Sequence, residues 1–309
     1  MDWTRRDFVK LSSAGLLAAA LPAPALHGLG SGPRMREARG LDELRRGVGT
    51  FSGRGGTIGW LVNVDGCVVV DSQFPDTAQE CLEALESRAA LPADVLINTH
   101  HHGDHTAGNG VFRSAVREIV AHSRVPELQR EAAREAGTEE DQTYAESTFE
   151  ESWSVEVGDE TVRASHYGPA HTGGDCTVHF ERANVVHMGD LVFNRLYPFI
   201  DRPGGASIRG WIELLEEVAR IHDDDTIYIF GHGHPDFGVT GTQDDLLFHR
   251  DFLTVALEFA QAAVRDGRTQ EDVRRLEEMP GFPDHAAPAP QLTLARVLEA
   301  AFEEALEEG

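Results

Sequence analysis

The clearest pattern in the chain lies between Thr57 and Asp71, where the apolar runs TIGWLVNV and CVVVD flank Asp65-Gly66. Two such runs joined by Asp-Gly predict a β-hairpin. Asp76, with Gln79 three residues on, resembles a capping box. Ala78, Leu82, Leu85 and Ala89 then recur at helical spacing. Asp94 to Thr99 and Glu118 to His122 read as short strands, the second followed by a polar helix and a long acidic loop. Trp153 to Phe180 carries further short strands separated by turn residues, and Asn184 to Met188 and Thr226 to Phe230 add others. Ile208, Trp211, Leu215 and Val218 mark one face of an amphipathic helix over Ser207 to His222. Beyond Gly241 the chain turns helical, with Thr242 and Asp245 capping a run that carries Leu246, Phe252, Val255, Leu257 and Phe259. Pro280, Pro283, Pro288 and Pro290 break the next segment, and Leu292 to Leu306 predicts a last helix. Strand groups alternate with helices, without strict βαβ repeats and without an internal repeat of fixed period. One α/β catalytic domain over 45–240 with a helical C-terminal extension over 241–309 fits this pattern.

Composition narrows the picture. The chain has 309 residues and is 41% hydrophobic, enough for a substantial core. No apolar run reaches the roughly 18 residues of a membrane span. The formal charge is −25, from 52 acidic and 27 basic residues, and Lys10 is the only lysine. Such a surface repels nucleic acid and anionic lipid, so a small-molecule substrate is the expected partner. Cys67, Cys81 and Cys176 form no CxxC pair and read as small buried apolar residues.

The first 25 residues read as an address. Thr4-Arg5-Arg6-Asp7-Phe8-Val9-Lys10 carries twin arginines; Leu11 to Leu21 contains only Leu, Ala, Ser and Gly; Ala23-Pro24-Ala25 is an Ala-x-Ala exit. This is the build of a secretory signal, and it resembles a twin-arginine (Tat) signal, which exports proteins already folded. The expected location is therefore periplasmic or extracellular. Residues 26–44, opening on a stretch rich in Gly, Pro and Arg, read as a linker.

The chemistry concentrates in Thr99 to Asn109, which reads THHHGDHTAGN. His100-x-His102-x-Asp104-His105 follows a strand and precedes a helix. On an extended turn His100 and His102 point the same way and can share one metal, while Asp104 and His105 face a neighbouring position. Imidazole and carboxylate without thiolate suit a catalytic Zn²⁺ rather than a cysteine-rich structural site. His171 in GPAHT, Asp190 in HMGD and His232 in GHGHP each stand where a strand stops beside glycine. His101 is off phase and reads as supporting or solvent-facing. His234 competes with His232, which is preferred.

The order His-x-His-x-Asp-His, then His, then Gly-Asp, then Gly-His-Gly resembles the metallo-β-lactamase superfamily over roughly residues 45–240. The resemblance implies an αββα sandwich with two metals, expected to be zinc, at the sheet edge. His100, His102 and His171 would hold the first metal, Asp104, His105 and His232 the second, and Asp190 would bridge them. Asp71, closing CVVVD, resembles the family aspartate that steadies the histidine loop. Phe230 stands where many relatives have proline.

Two zinc ions can share a hydroxide, because metal binding lowers the pKa of water from about 15.7 to about 7. Asp104 would orient it and later carry a proton. The expected reaction is hydrolysis of an ester, thioester, lactone, amide or phosphoester. The best-known β-lactamases of this superfamily place cysteine where Asp190 stands, so Asp190 favours a general hydrolase, with β-lactamase action as the alternative. An iron-dependent oxidative enzyme on the same fold and a non-catalytic metal store are the other readings. Phe193 to Pro203 could line the pocket, with Arg195 or Arg202 meeting a substrate carboxylate, and Ser52 to Gly59 reads as a mobile flap.

Overall fold

The computed structural model describes residues 40–88, 93–290 and 292–307; the stretch read as a signal, and the expected linker up to residue 39, lie outside them. The first strand, β1 (Asp42–Arg45), begins inside the stretch expected as linker. It pairs antiparallel with β2 (Val48–Phe51) through Arg46 and Gly47, whose φ values of 51° and 76° form the left-handed two-residue turn favoured in hairpins. Arg-Gly is a weak hairpin signal and DELR a polar edge strand, so the apolar run that marks β3, β4 and β5 is missing here.

β3 (Ile58–Val62) and β4 (Cys67–Val70) form the expected hairpin. The side-chain carbonyl of Asn63 accepts the Asp65 and Gly66 amides, both at 2.9 Å, and fixes its turn. α1 (Pro75–Glu86) follows. Its cap is Phe74 with proline next, not the Asp76–Gln79 box: Asp76 lies within the first turn and pairs with Arg54 at 2.7 Å. Proline at that point supplies a preset φ and an amide that needs no partner. β5 (Ala93–Asn98) runs into the histidine segment, which contains the single turn α2 (Gly103–Thr106) and leads to α3 (Asn109–Phe112). β6 (Val116–His122), α4 (Val125–Ala136) and β7 (Ser147–Phe149) complete the first half. Among the described residues the first sheet has the order β1-β2-β3-β4-β5-β6-β7, antiparallel as far as β4 and parallel beyond it.

The second sheet is built from β8 (Ser152–Val157), β9 (Glu160–Ser165), β10 (Thr177–Phe180) and β11 (Val185–His187). After β12 (Phe193–Asn194) and α5 (Ile208–Ile221) come β13 (Ile227–Ile229), β14 (His232–Gly233) and β15 (Thr240–Gly241). Its order is β15-β13-β11-β10-β9-β8, while β12 and β14 pair separately in parallel. The helices α6 (Gln243–Arg265), α7 (Gln270–Arg274) and α8 (Leu294–Glu307) follow. The Thr242–Asp245 capping box is present at the start of α6.

Period-two alternation decides the layers. Val68, Val70, Val95 and Ile97 meet Val162, Val178, Val185 and Ile229 in a core between the sheets. Cys67, Val69 and Leu96 point the other way, against Ala78, Leu82 and Leu85 of α1. Val186 and Tyr228 face Trp211, Leu215, Phe252 and Val297 of α5, α6 and α8. The result is an αββα sandwich with the C-terminal helices present. Those helices form part of its outer layer and belong to one compact unit, Ala38–Gly309. The cysteines are free and buried. Burial, with Asp94 adding to it, raises the Cys67 thiol to about 12, as expected of an inert apolar filler.

Candidate metal centre

The chemistry-bearing residues gather where β4, β5, β11 and β13 end. Asp71 follows β4 with φ 63°, a left-handed conformation that aspartate tolerates better than most residues. Its carboxylate is fully buried and accepts the Thr99 amide at 2.7 Å and the Thr99 hydroxyl at 2.8 Å. The same carboxylate lies 2.8 Å from His105 Nδ1, leaving Nε2 of that ring free to face the site.

One cluster comprises His100 Nε2, His102 Nδ1 and His171 Nε2, with contacts to His102 Nδ1 of 3.2 and 3.0 Å. Each ring's other nitrogen donates to Thr99 Oγ1, Asp201 Oδ2 or Phe199 O, so the three facing nitrogens of such neutral tautomers are lone-pair acceptors that cannot satisfy one another, and a shared cation suits them. Asp104, His105 and His232 form the second cluster, with His232 Nε2 at 3.1 Å and His105 Nε2 at 3.7 Å from Asp104 Oδ2. Asp190 stands between the clusters. Its Oδ2 is 3.8 Å from His100, 3.6 Å from His171 and 3.4 Å from His232, and its Oδ1 is 3.0 Å from His105 Nε2. His105 Nε2 and Asp190 Oδ1 are both buried, yet neither has a partner in hydrogen-bond geometry despite their closeness. Buried lone pairs aimed at a common point fit a metal ion. Gly231 is required by this closeness, because a Cβ there would overlap Asp190 Oδ1.

The other sequence candidates are sorted by the fold. His234 lies outside both clusters, its Nδ1 accepting the Asp236 amide at 3.2 Å and its ring meeting Phe237. His101 turns toward Asp201, with Nε2 at 3.4 Å. Arg195 does not face the site: it pairs with Asp245 at 3.1 Å and lies over the Phe248 ring. Arg202 is held by Glu304 at 3.0 Å and Glu307 at 2.5 Å. Neither arginine is free for a substrate carboxylate, because each has an acidic residue of the C-terminal helices beside it. Of the aromatic residues in that loop, Phe193 stacks on His232, and Phe199 lies 5.4 Å from the His102 ring and is 37% exposed. Tyr197 packs instead against Phe252 and His285. The expected flap is tied down past its tip: Gly56 donates to Asp104 O at 3.0 Å, Thr57 donates to Gly231 O at 2.9 Å, and Gln73 donates to Gly56 O.

Asp201 is the residue that sequence reading missed. Its Oδ2 lies 3.0 Å from His102 Nε2, and it aligns that ring from behind as Asp71 aligns His105. The carbonyl of Phe199 does the same for His171 Nδ1 at 2.8 Å. An aspartate eleven residues beyond Asp190, in a loop without hydrophobic periodicity, carries no local signal.

Electrostatics differ between the clusters. Burial pushes His171 down to about 3 and His100 well below the ordinary histidine value, helped by neighbouring rings, so both are neutral. Burial also opposes charge on His105 and His232, but the carboxylates of Asp190 and Asp104 outweigh it. His105 is raised well above its ordinary value and His232 to about 9. Burial works against the Asp104 charge too, yet His105 and His232 pull its carboxyl down to about 2. In the metal-free protein the His232–Asp104 pairing therefore stabilises the fold between these limits. It is lost as pH rises through about 9 or falls through about 2. A metal ion bound by this cluster would have to displace protons from His105 and His232. Calorimetry of zinc uptake in buffers of different ionisation enthalpy should show proton release at pH 7, with affinity rising from pH 6 toward 9. Affinity flat across that range would overturn this account.

Comparison with known proteins agrees with this geometry. The family model of the Metallo-beta-lactamase superfamily matches residues 52–232. A hydroxyacylglutathione hydrolase of Gloeobacter violaceus is 31% identical over 119 residues, 38% of this chain and 42% of that protein. The 2,4-dinitroanisole O-demethylase subunit alpha of a Nocardioides species is 25% identical over 130 residues, 41% of this chain and 38% of that protein. The matched stretches thus span about two fifths of these curated relatives. Among solved structures, the sec-alkylsulfatase Pisa1 from Pseudomonas sp. superposes with a TM-score of 0.69 at 16% identity, covering 86% of this chain and 50% of that one. A metallo-beta-lactamase from Pontibacter korlensis gives 0.57 at 16% identity, over 70% of this chain and 99% of that one. With the family match covering more than half the sequence and the sandwich and histidine clusters in place, the chain belongs to the metallo-β-lactamase superfamily.

Proposed function

We propose that the protein is a dinuclear zinc hydrolase that cleaves a carboxylic ester or thioester of a small molecule. The observation that carries this is Asp190, whose carboxylate stands between the clusters: Oδ2 lies within 3.8 Å of His100 and His171 of the first and 3.4 Å from His232 of the second, and Oδ1 lies 3.0 Å from His105 of the second. Such a carboxylate draws two cations together. Zinc bound there supplies Lewis acidity toward the substrate oxygen and lowers the pKa of water from about 15.7 to about 7.

The chain's own groups do the rest. Asp104, held ionised and 28% exposed, accepts a hydrogen bond from the attacking water and orients it. His100, His102 and His171 are locked from behind by Thr99, Asp201 and the Phe199 carbonyl, so they hold their directions as charge builds. The Phe199 ring beside His102 offers an apolar rest for the acyl part of a substrate. The hydroxyacylglutathione hydrolase relatives, and an aspartate rather than cysteine at position 190, favour the ester or thioester bond over a β-lactam.

The test is metal content by mass spectrometry, with turnover of acyl thioesters, esters, lactones, nitrocefin and bis-p-nitrophenyl phosphate. Two zinc ions per chain, and ester or thioester hydrolysis abolished in Asp104→Ala, are expected. Bound iron with no hydrolysis of any substrate would overturn the reading and point to oxidative chemistry. Export by a twin-arginine route is part of the proposal, resting on Arg5-Arg6, the Leu11–Leu21 run and Ala23-Pro24-Ala25. N-terminal sequencing of the secreted protein should begin near residue 26, and an uncleaved cytoplasmic protein would refute it.

A further inference from the structure

The loop between β12 and α5 has no regular structure, yet it directs two of the three histidines in the first cluster. Phe199 O faces His171 Nδ1, and Asp201 Oδ2 faces His102 Nε2. A loop of this length can hold such directions only if something outside it removes its freedom. The loop is joined to the His171 turn by Gly173 N to Gly204 O at 2.8 Å, Asp201 N to His171 O at 3.3 Å and Ser207 N to Ala170 O at 2.9 Å. These contacts tie two irregular segments to each other, not to a rigid element.

The rigid element is the last helix. Glu304 of α8 is 5% exposed, although carboxylates are seldom buried without partners. Its Oε2 accepts the Ile208 amide at 2.8 Å and Arg202 Nη1 at 3.0 Å. Its Oε1 accepts the Arg209 amide at 2.9 Å and the Ser207 hydroxyl at 3.4 Å. One carboxylate thus takes up free amides at the start of α5, where a negative charge is favoured, and grips the arginine that follows Asp201. Arg202 closes the loop on itself through Ala206 O at 2.7 Å and reaches Glu307 as well. The helix that carries Glu304 is fixed by Val297, Leu298 and Ala301, buried in the same core as α5 and α6.

We infer that Glu304 is a positioning residue for the first metal position: from the C-terminal helix it clamps the 199–208 loop and so sets the directions of His102 and His171. The inference rests on the two-metal reading above. It differs for the two clusters, because His105 and His232 take their directions from Asp71 and β14, which Glu304 does not touch.

The test is titration of the metal-free protein with cobalt(II). The shifted ring N–H signals of His102, His171 and His105 report which position fills. In Glu304→Gln the first position should weaken by about 10-fold, at the lower end of what loss of an outer hydrogen-bond partner costs a metal site. The second position should change by less than about twofold. Asp201→Asn should weaken the same position, and Glu303→Gln, on the exposed face of the same helix, neither. Arg202→Lys keeps a charge beside Glu304 but loses the fork, and should act in the same direction with smaller size. Equal weakening of both positions, or none, in Glu304→Gln would overturn the inference. Amide exchange in the metal-free protein gives an independent reading: it should quicken at residues 199–209 in Glu304→Gln and stay unchanged at 99–105. A wild-type protein that took up no metal would defeat the two-metal reading, and unaltered exchange in the variant would defeat the clamp.

Discussion

Asp190→Ala is expected to lose both metals at concentrations that saturate the wild type, and to lose hydrolysis by more than about 100-fold. That is the upper end of what an outer partner of a metal ligand costs, and Asp190 faces both clusters directly. It is 4% exposed, and without it the second cluster keeps one carboxylate and two histidines, while the first keeps three imidazoles and no carboxylate. The metal-free variant should still fold, because His105 and His232 can release their protons once the carboxylate that holds them is gone. The clearest reading is therefore the rise in Tm on adding zinc, a direct measure of binding to the folded state. That rise should nearly vanish in Asp190→Ala. A variant that holds two zinc ions and turns over within threefold of wild type would remove Asp190 from the centre of the account.

Asp71→Ala should lower stability by about 3–5 kcal/mol, the usual result of removing one member of a buried hydrogen-bonded charged pair. At about 2–4 °C per kcal/mol for a domain of this size, the fall in Tm should be roughly 6–20 °C. The loss has identifiable parts. The Thr99 amide and hydroxyl and His105 Nδ1 all lose their acceptor in a fully buried place. Alanine would also have to adopt φ 63°, which its Cβ disfavours. Asp71→Asn keeps one acceptor and tolerates that backbone, so it should cost less. Unfolding in the presence of a chelator separates this effect from zinc binding. An Asp71→Ala protein as stable as wild type without metal would show that the carboxylate contributes nothing to the histidine loop.

The two variants probe different kinds of information. The grouping of His100, His102, Asp104 and His105 is local: strand and turn geometry settle where side chains two to five residues apart can point. Asp71 was legible as the residue closing an apolar strand, and the three remaining ligand candidates as residues where strands stop beside glycine. The strands were legible wherever an apolar run was bounded by turn or polar residues, as in β4, β5 and β11, but which face met which layer was not, because both faces of these strands are buried. No such run marks β1, whose polar edge pairs through an Arg-Gly turn. The start of α1 was misread for a related reason: the spacing of Asp76 and Gln79 suits a box, but the cap is Phe74 and Pro75 opens the helix two residues earlier than that box would.

What the sequence determined by itself was therefore the strands, their apolar runs and the side chains that gather in the His and Asp clusters, because each depends on residues close together in the chain or on a strand's end, and their order carried the resemblance that implied the sandwich. Only the tertiary structure decided how those donors are aimed. Asp201 reaches His102 across 99 residues, Glu304 reaches Ile208 across 96 and Arg202 across 102, and Arg195 is drawn to Asp245 rather than to the pocket. A buried carboxylate or a guanidinium takes whichever complementary group the packing of layers brings within about 3 Å. Nothing in the spacing of such residues along the chain states which group that is.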